Sequence, residues 1–231
     1  MRAKLKVFED RKQKNEVKAK FVINQICNFS KWLLKIGFKN LPDLPEIRIT
    51  SGSEVGGQII FSPNILLINE KIYRDSHAGI HLYLQAVIQQ FTELKKSTLK
   101  AESAIFVEAL IDYFVASYTN DPFIGAVTAK QRMLESNCLR NLNKIVMFDE
   151  IIPMSNKHEL SVVLSGACWE LRNIFGAEKM DAALVKVIKQ LNSEFSIADA
   201  ASLLSQELVK ITDEKAKNIV KDVFLKRNVS F

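Results

Sequence analysis

The sequence has few of the residues that cross-link a small fold or build a metal ribbon. It contains three cysteines and three histidines among 231 residues. Cys27, Cys138 and Cys168 are far apart, odd in number and surrounded by apolar residues, and no CxxC pair occurs. This pattern argues against a disulfide framework and against a zinc ribbon. We expect three small core residues, with a Cys27–Cys168 bridge as the alternative.

Long apolar runs and low-complexity tracts are also missing. No stretch of 18 apolar residues occurs, so no membrane-spanning helix is expected. The first residues lack the apolar core of a secretory signal peptide, so none is expected within this chain. Hydrophobic residues make up 48% of the sequence and include 14 Phe, enough for a sizeable core. The length predicts one large domain or two lobes.

Positive charge is concentrated at one end. The net charge is +6, and residues 1–20 contain eight basic and three acidic side chains, or +5, which leaves +1 for the other 211 residues. A basic arm can bind phosphates or anionic lipid. No aromatic or glycine pattern accompanies the charge, however. We therefore favour a solvated lead-in to the first helix, and nucleic acid or membrane is not expected as a partner.

The order of secondary structure predicts an α+β fold. Apolar residues at helical spacing from Val22 to Ile36 predict a first helix that ends at Gly37. Short β-type runs over 47–50, 58–61 and 65–69 predict a small antiparallel sheet. In the rest of the sequence, apolar residues at helical spacing predict helices over 75–95, 101–118, 126–137, 158–175, 178–193, 198–209 and 213–226.

Helix-capping residues and the order of strands and helices predict how the chain divides into lobes. Asp75 or Ser76 can cap the helix that follows the sheet, and Ser196 and Thr212 can cap the last two. Strands precede a helical second half, as in α+β domains. We expect a basic arm over 1–16, a lobe with the sheet and the candidate site over 17–120, and a helical lobe over 121–231.

A pair of carboxylates lies within an otherwise apolar predicted helix. Glu108 and Asp112 share one helical face in the run Glu-Ala-Leu-Ile-Asp-Tyr-Phe. Burying both carboxylates costs desolvation energy unless a partner compensates them. One interpretation is a structural hydrogen-bonding pair, and the other is a metal site.

Histidines lie upstream of this pair, in the run His-Ala-Gly-Ile-His-Leu-Tyr-Leu-Gln that begins at His77. Two histidines four residues apart on a helix bind zinc in the HExxH motif, and its Glu activates the zinc-bound water. The sequence contains no complete HExxH. Taken singly, His81 and His158 are better explained by structural roles, and only their order along the chain together with Glu108 favours a site.

In their order along the chain, these segments resemble the thermolysin-like zinc metallopeptidases of the gluzincin group, over roughly residues 17–226. The resemblance implies that Glu108 occupies the place of the third zinc ligand, and Asp112 that of the acidic residue which orients a ligand. His158, in the run His-Glu-Leu-Ser, is similar to the family histidine that steadies the oxyanion. The helical tail from Phe175 onward also follows the family in order and spacing.

Two alignments to the family's HExxH are open. In one, His77 and His81 are the ligand pair and Ala78 replaces the catalytic Glu. In the other, which we favour, His81 is the first ligand, Leu82 replaces the Glu and Gln85 replaces the second histidine. Ala-Gly-Ile before His81 is similar to the small and apolar residues that precede the family motif. Both alignments lack the general base.

The resemblance therefore implies a pseudopeptidase, a catalytically inactive module that binds a peptide or protein segment in its cleft. No metal and no other cofactor is expected. The alternative is a zinc peptidase that uses His77, His81 and Glu108, with Glu150 or Glu159 as an unorthodox base. Working relatives are mostly exported, which favours an exported protein whose signal sequence is absent from this chain. The sequence itself leaves the compartment open.

Overall fold

The computed structural model describes residues 2–51, 57–61, 64–91, 101–148, 157–192 and 194–231. Helix α1 spans Arg2–Ile36 and ends at Gly37, whose φ of 111° suits a residue without a side chain. Its buried residues Val22, Ile26 and Phe29 confirm the predicted apolar face. The basic segment 1–16 was expected to precede the first helix. From Arg2 onward it is instead part of that helix.

The three predicted strands are present, but the sheet is mixed. Strands β1 (Glu46–Thr50), β2 (Gly57–Phe61) and β3 (Asn64–Asn69) pair in the order β1-β3-β2. Strands β2 and β3 are antiparallel, whereas β1 and β3 are parallel, so the prediction of an antiparallel sheet is wrong for that pair. The reason is that β3 lies between β1 and β2 in the sheet and pairs with both strands.

Helices predominate in the rest of the described chain, which confirms the α+β prediction. Helix α4 ends at Gln131 and not at 137 as predicted, since Arg132 closes it and Met133 takes a left-handed φ of 54°. A two-stranded ribbon of β4 and β5 was not predicted. The elements are α2 (Ser76–Phe91), α3 (Ala101–Thr119), β4 (Phe123–Ile124), α4 (Ala126–Gln131), β5 (Arg140–Asn141), α5 (Lys157–Phe175), α6 (Ala177–Ile188), α7 (Ile197–Ile211) and α8 (Lys215–Leu225).

The helix caps agree with the sequence at two of three places. Ser196 and Asp199 form a reciprocal capping box at the start of α7. Asp75 caps α2 by accepting a hydrogen bond from the backbone N–H of His77 at 3.1 Å. Thr212, predicted to cap α8, instead closes α7, and Glu214 is the residue before α8. The segment between the predicted helices over 75–95 and 101–118 lies outside the described residues.

Helix α3 runs through the core and carries buried polar groups on two faces. One face holds Glu108 and Asp112. The other face holds Tyr113 and Ser117. Their hydroxyl groups donate hydrogen bonds to Asp181 of α6 at 2.7 Å and 2.8 Å. Burial raises the pKa of Asp181 and that of Tyr113. This second cluster is internally bonded and therefore structural.

Two sequence expectations concern the chain as a whole. Within the described part, Cys27, Cys138 and Cys168 are all free thiols, and Cys138 and Cys168 are buried. Burial raises the pKa of the Cys168 thiol to about 12. No helix among the described residues is long and apolar enough to cross a bilayer.

Candidate functional site

A cleft of about 540 Å³ opens between the sheet and the segment that runs from β4 to β5. Helix α2 contributes His81, Leu82 and Gln85 to its lining, and α3 contributes Glu108. Gly57 of β2 lies on one side and Arg140 of β5 on the other. The cleft thus forms where the two helices of the candidate motif pack against each other.

The structure brings His81 to both carboxylates of α3. Its Nε2 atom lies 3.6 Å from Glu108 Oε1 and 3.4 Å from Asp112 Oδ1. Glu108 borders the cleft, whereas Asp112 is fully buried behind it and accepts a hydrogen bond from Ser161 at 3.3 Å. His81 Nε2 has no hydrogen-bond partner among the described residues. His81 Nε2 therefore lies close to both carboxylates but forms a hydrogen bond with neither.

Arg140 compensates the buried negative charge. Its guanidinium Nη2 forms an ion pair with Asp112 Oδ1 at 2.7 Å, and its side chain is 12% exposed. Two carboxylates and one histidine in a buried setting need such a cation, because isolated buried charges are costly. Arg140 was not identified from the sequence. It lies in a two-residue strand with no periodic pattern, and only the excess of buried carboxylates signalled that a cation was needed.

The favoured alignment places apolar and amide groups at the positions where the family has a base and a ligand. Leu82 follows His81 and lines the cleft, and a Cβ added to Gly57 would lie 2.6 Å from its Cδ1 atom. Leu82 therefore packs closely against strand β2. Gln85 lies one turn later and also lines the cleft. Neither side chain can take a proton from a water molecule at His81.

His77 does not face the carboxylates of α3, and its ring nitrogens contact the β4–α4 turn and the end of α3. Its Nδ1 accepts a hydrogen bond from the backbone N–H of Gly125 at 3.0 Å, and its Nε2 lies 3.2 Å from Thr119 Oγ1. Nδ1 must therefore be unprotonated, and the proton is on Nε2. Both ring nitrogens are committed to hydrogen bonds.

Asp75 joins the starts of two helices. While one carboxylate oxygen caps α2, Oδ2 accepts from the backbone N–H of Thr128 at 2.9 Å and from its hydroxyl at 2.6 Å. Gly125, which precedes α4, has no side chain with which to cap it. Asp75 and His77 thus supply the hydrogen bonds that the N-terminus of α4 needs.

We expect His77 to make the protein acid-sensitive. Burial lowers the pKa of His77 below its ordinary value of 6.5, despite the opposing effect of Asp75. The unfolded chain therefore takes up this proton before the folded chain does, so stability is complete above about pH 6.5 and falls as the pH drops below it. In thermal unfolding measured from pH 7.5 to 5, His77→Asn should lose less stability than the wild type, because the amide oxygen can accept from Gly125 without titrating. Equal losses would contradict this role.

The donor set does not suit a tightly bound zinc ion. His81 and Glu108 are close enough to share one ion, but structural and catalytic zinc sites need at least three protein ligands. His77 does not join them, and among the described residues no group of three His, Cys, Asp or Glu side chains is arranged to hold a metal. Asp112, the nearest further carboxylate, is paired with Arg140.

Three candidates lie beyond the described side chains. His158 is in the first turn of α5, but its side chain is outside the described part, as is that of Glu159. Glu150 lies outside the described residues altogether. The role that the resemblance implies for His158, steadying the oxyanion, therefore stays a prediction.

Comparisons with known proteins identify the fold. A solved structure titled as the precursor of protealysin, a metalloproteinase from Serratia proteamaculans, superimposes with a TM-score of 0.73, over 93% of this chain and 79% of that one. The two sequences are 12% identical, so the likeness is one of fold. No family model and no curated protein matches the sequence. The chain has an α+β, thermolysin-like fold.

Proposed function

We propose that this protein is a non-catalytic, thermolysin-like module that binds an extended peptide or protein segment in the cleft between β2 and β5. The observation that carries the proposal is Leu82. It occupies the position after His81, lines the cleft and lies against β2, where a water-activating carboxylate would be required. The cleft of this thermolysin-like fold thus has a leucine at position 82, where the favoured alignment expects the base.

The surroundings of His81 support the same conclusion. General-base catalysis needs a group that can accept a proton from water within hydrogen-bond reach of the reacting atom. Among the described residues, Glu108 and Asp112 are the carboxylates near His81, and Asp112 is fully buried and paired with Arg140. Gln85 is a neutral amide and a poor zinc ligand. The described side chains therefore supply neither a third zinc ligand nor a proton acceptor for hydrolysis.

The wall of the cleft favours an extended ligand. Strand β2 pairs with β3 on one side, and no other described strand pairs with its opposite edge, which lies beside the cleft at Gly57. An extended peptide can add to such an edge through main-chain hydrogen bonds, while pockets take its side chains. Leu82 and Leu134 line the cleft and would accept apolar side chains.

Metal content and hydrolysis test the proposal. Purified protein should contain well under one zinc per chain by elemental analysis, and hydrolysis of casein should not exceed background with or without added zinc. Leu82→Glu combined with Gln85→His should raise zinc binding, because it completes the ligand set around His81 and Glu108. One tightly held zinc in the wild type, or wild-type hydrolysis that His81→Ala abolishes, would overturn the proposal.

The second candidate is a zinc peptidase that uses His77, His81 and Glu108. One observation favours it, because the 3.6 Å between His81 Nε2 and Glu108 Oε1 suits two ligands of one ion. It requires His77 to release Gly125 and Thr119 and turn toward His81. Zinc binding that is lost in His77→Ala and retained in Gln85→Ala would favour this candidate over the first.

A further inference from the structure

A surface that combines basic and aromatic side chains forms where α1 passes the turn after β3. The fold places Phe21 and Tyr73 beside Lys18, although these residues are distant in sequence. The sequence alone showed no aromatic pattern accompanying the basic N-terminal charge. We name this the α1–turn surface. Lys18, Phe21, Tyr73 and Arg74 contact one another, and we include two exposed lysines, Lys14 one turn before Lys18 on α1 and Lys71 in the same turn as Tyr73.

Tyr73 is the centre of this surface. Lys18 Nζ and the guanidinium carbon of Arg74 each lie 5.5 Å from its ring centroid, and Arg74 Nε donates to its hydroxyl at 2.9 Å. Phe21 meets the ring edge-on at 5.9 Å between centroids. Glu70 pairs with Lys18 at 2.7 Å and holds that lysine in place. The cations and rings are thus positioned by contacts with one another.

The surface is exposed to solvent. Lys14, Lys71 and Arg74 are exposed, and the Phe21 side chain is 41% exposed. In the sequence, residues 2–12 of α1 add five basic and two acidic residues, or a net +3.

The α1–turn surface is separate from the cleft. Ile72, in the same turn, lines the cleft and is 2% exposed, whereas its neighbour Lys71 is exposed. Consecutive side chains of this turn therefore face different sides of the molecule. A ligand here would leave the cleft accessible, so this inference does not depend on the proposed function.

We propose that the α1–turn surface binds single-stranded nucleic acid. Phosphates would contact the lysines and Arg74, and an unpaired base would stack on the exposed Phe21 ring, the combination that proteins use for single strands. A bilayer is a poorer match, because Val17 and Phe21 are the large apolar side chains that α1 exposes between residues 13 and 21. Stable interfacial helices bury a broader apolar face.

Fluorescence anisotropy with a labelled 20-nucleotide poly(dT) and full-length protein tests the proposal. Binding should weaken with salt, with a slope of about −3 in log K against log salt if about four phosphates are contacted. Lys14→Glu combined with Arg74→Glu should weaken binding at least tenfold. Phe21→Ala should weaken it about tenfold while leaving the salt slope unchanged, because it removes stacking and no charge.

The matched control reverses the same amount of charge elsewhere. Lys217→Glu combined with Lys221→Glu alters two exposed lysines of α8 and should leave affinity within about twofold. Thermal unfolding of each variant establishes that the fold is retained. Equal weakening by both charge-reversed variants, or no change in Phe21→Ala, would overturn the proposal. So would binding to vesicles of phosphatidylserine and phosphatidylcholine that exceeds binding to the oligonucleotide.

Discussion

Replacing Arg140 with Met should lower the free energy of unfolding by about 3–5 kcal/mol, which is typical of removing one partner from a buried ion pair. Asp112 is fully buried, and Arg140 lies 2.7 Å from its Oδ1. Without the guanidinium, the fully buried Asp112 carboxyl group beside Glu108 would lose its compensating cation. Urea denaturation followed by circular dichroism measures the loss.

A second substitution separates lost charge compensation from lost packing. Arg140→Met combined with Asp112→Asn removes the unpaired charge and keeps the shape of the side chain, so it should recover at least half of the lost stability. A single variant that loses less than about 1 kcal/mol would show that Asp112 does not need Arg140, as is usual for exposed ion pairs.

Replacing Asp75 with Ala should cost about 3–4 kcal/mol, because it leaves the starts of α2 and α4 without their shared acceptor. The carboxylate accepts from the backbone N–H groups of His77 and Thr128 and from the Thr128 hydroxyl. Hydrogen bonds to a charged group are worth about 1.5–3 kcal/mol each, and the buried donors would be left unpaired. Urea denaturation again provides the measurement.

Thr128→Val is the matched control for Asp75. It removes the hydroxyl hydrogen bond alone and keeps the backbone N–H bond, so it should cost about 1 kcal/mol. If Thr128→Val were as damaging as Asp75→Ala, the hydroxyl and not the two helix starts would account for the role of Asp75.

The helical half of the fold could be predicted because its signals are local. The apolar face of α1 and the capping box at Ser196 can each be found within a few residues of sequence. Glu108 and Asp112 could be found for the same reason, since four residues on a helix define a common face. The segregated strands and helices then indicated the α+β class.

The remaining features depend on contacts between distant residues. Arg140 reaches Asp112 from 28 positions away, and nothing local distinguishes it from other arginines. The pairing of β1 with β3 depends on the return of β3 between two earlier strands. His77 and His81 are equivalent by spacing, yet one caps α4 and the other faces the carboxylates. Only the tertiary position of Gly125 separates their roles.

The Asp75 bridge also has a consequence for how quickly the cleft can accept a ligand. It ties α2, on the floor of the cleft, to α4, on its far side, through hydrogen bonds that would have to break before the two could separate. These hydrogen bonds therefore hold α4, on one side of the cleft, in place against its floor. If a peptide binds in the cleft as proposed, α4 should not need to move first, and binding should follow a single kinetic phase whose rate rises linearly with peptide concentration.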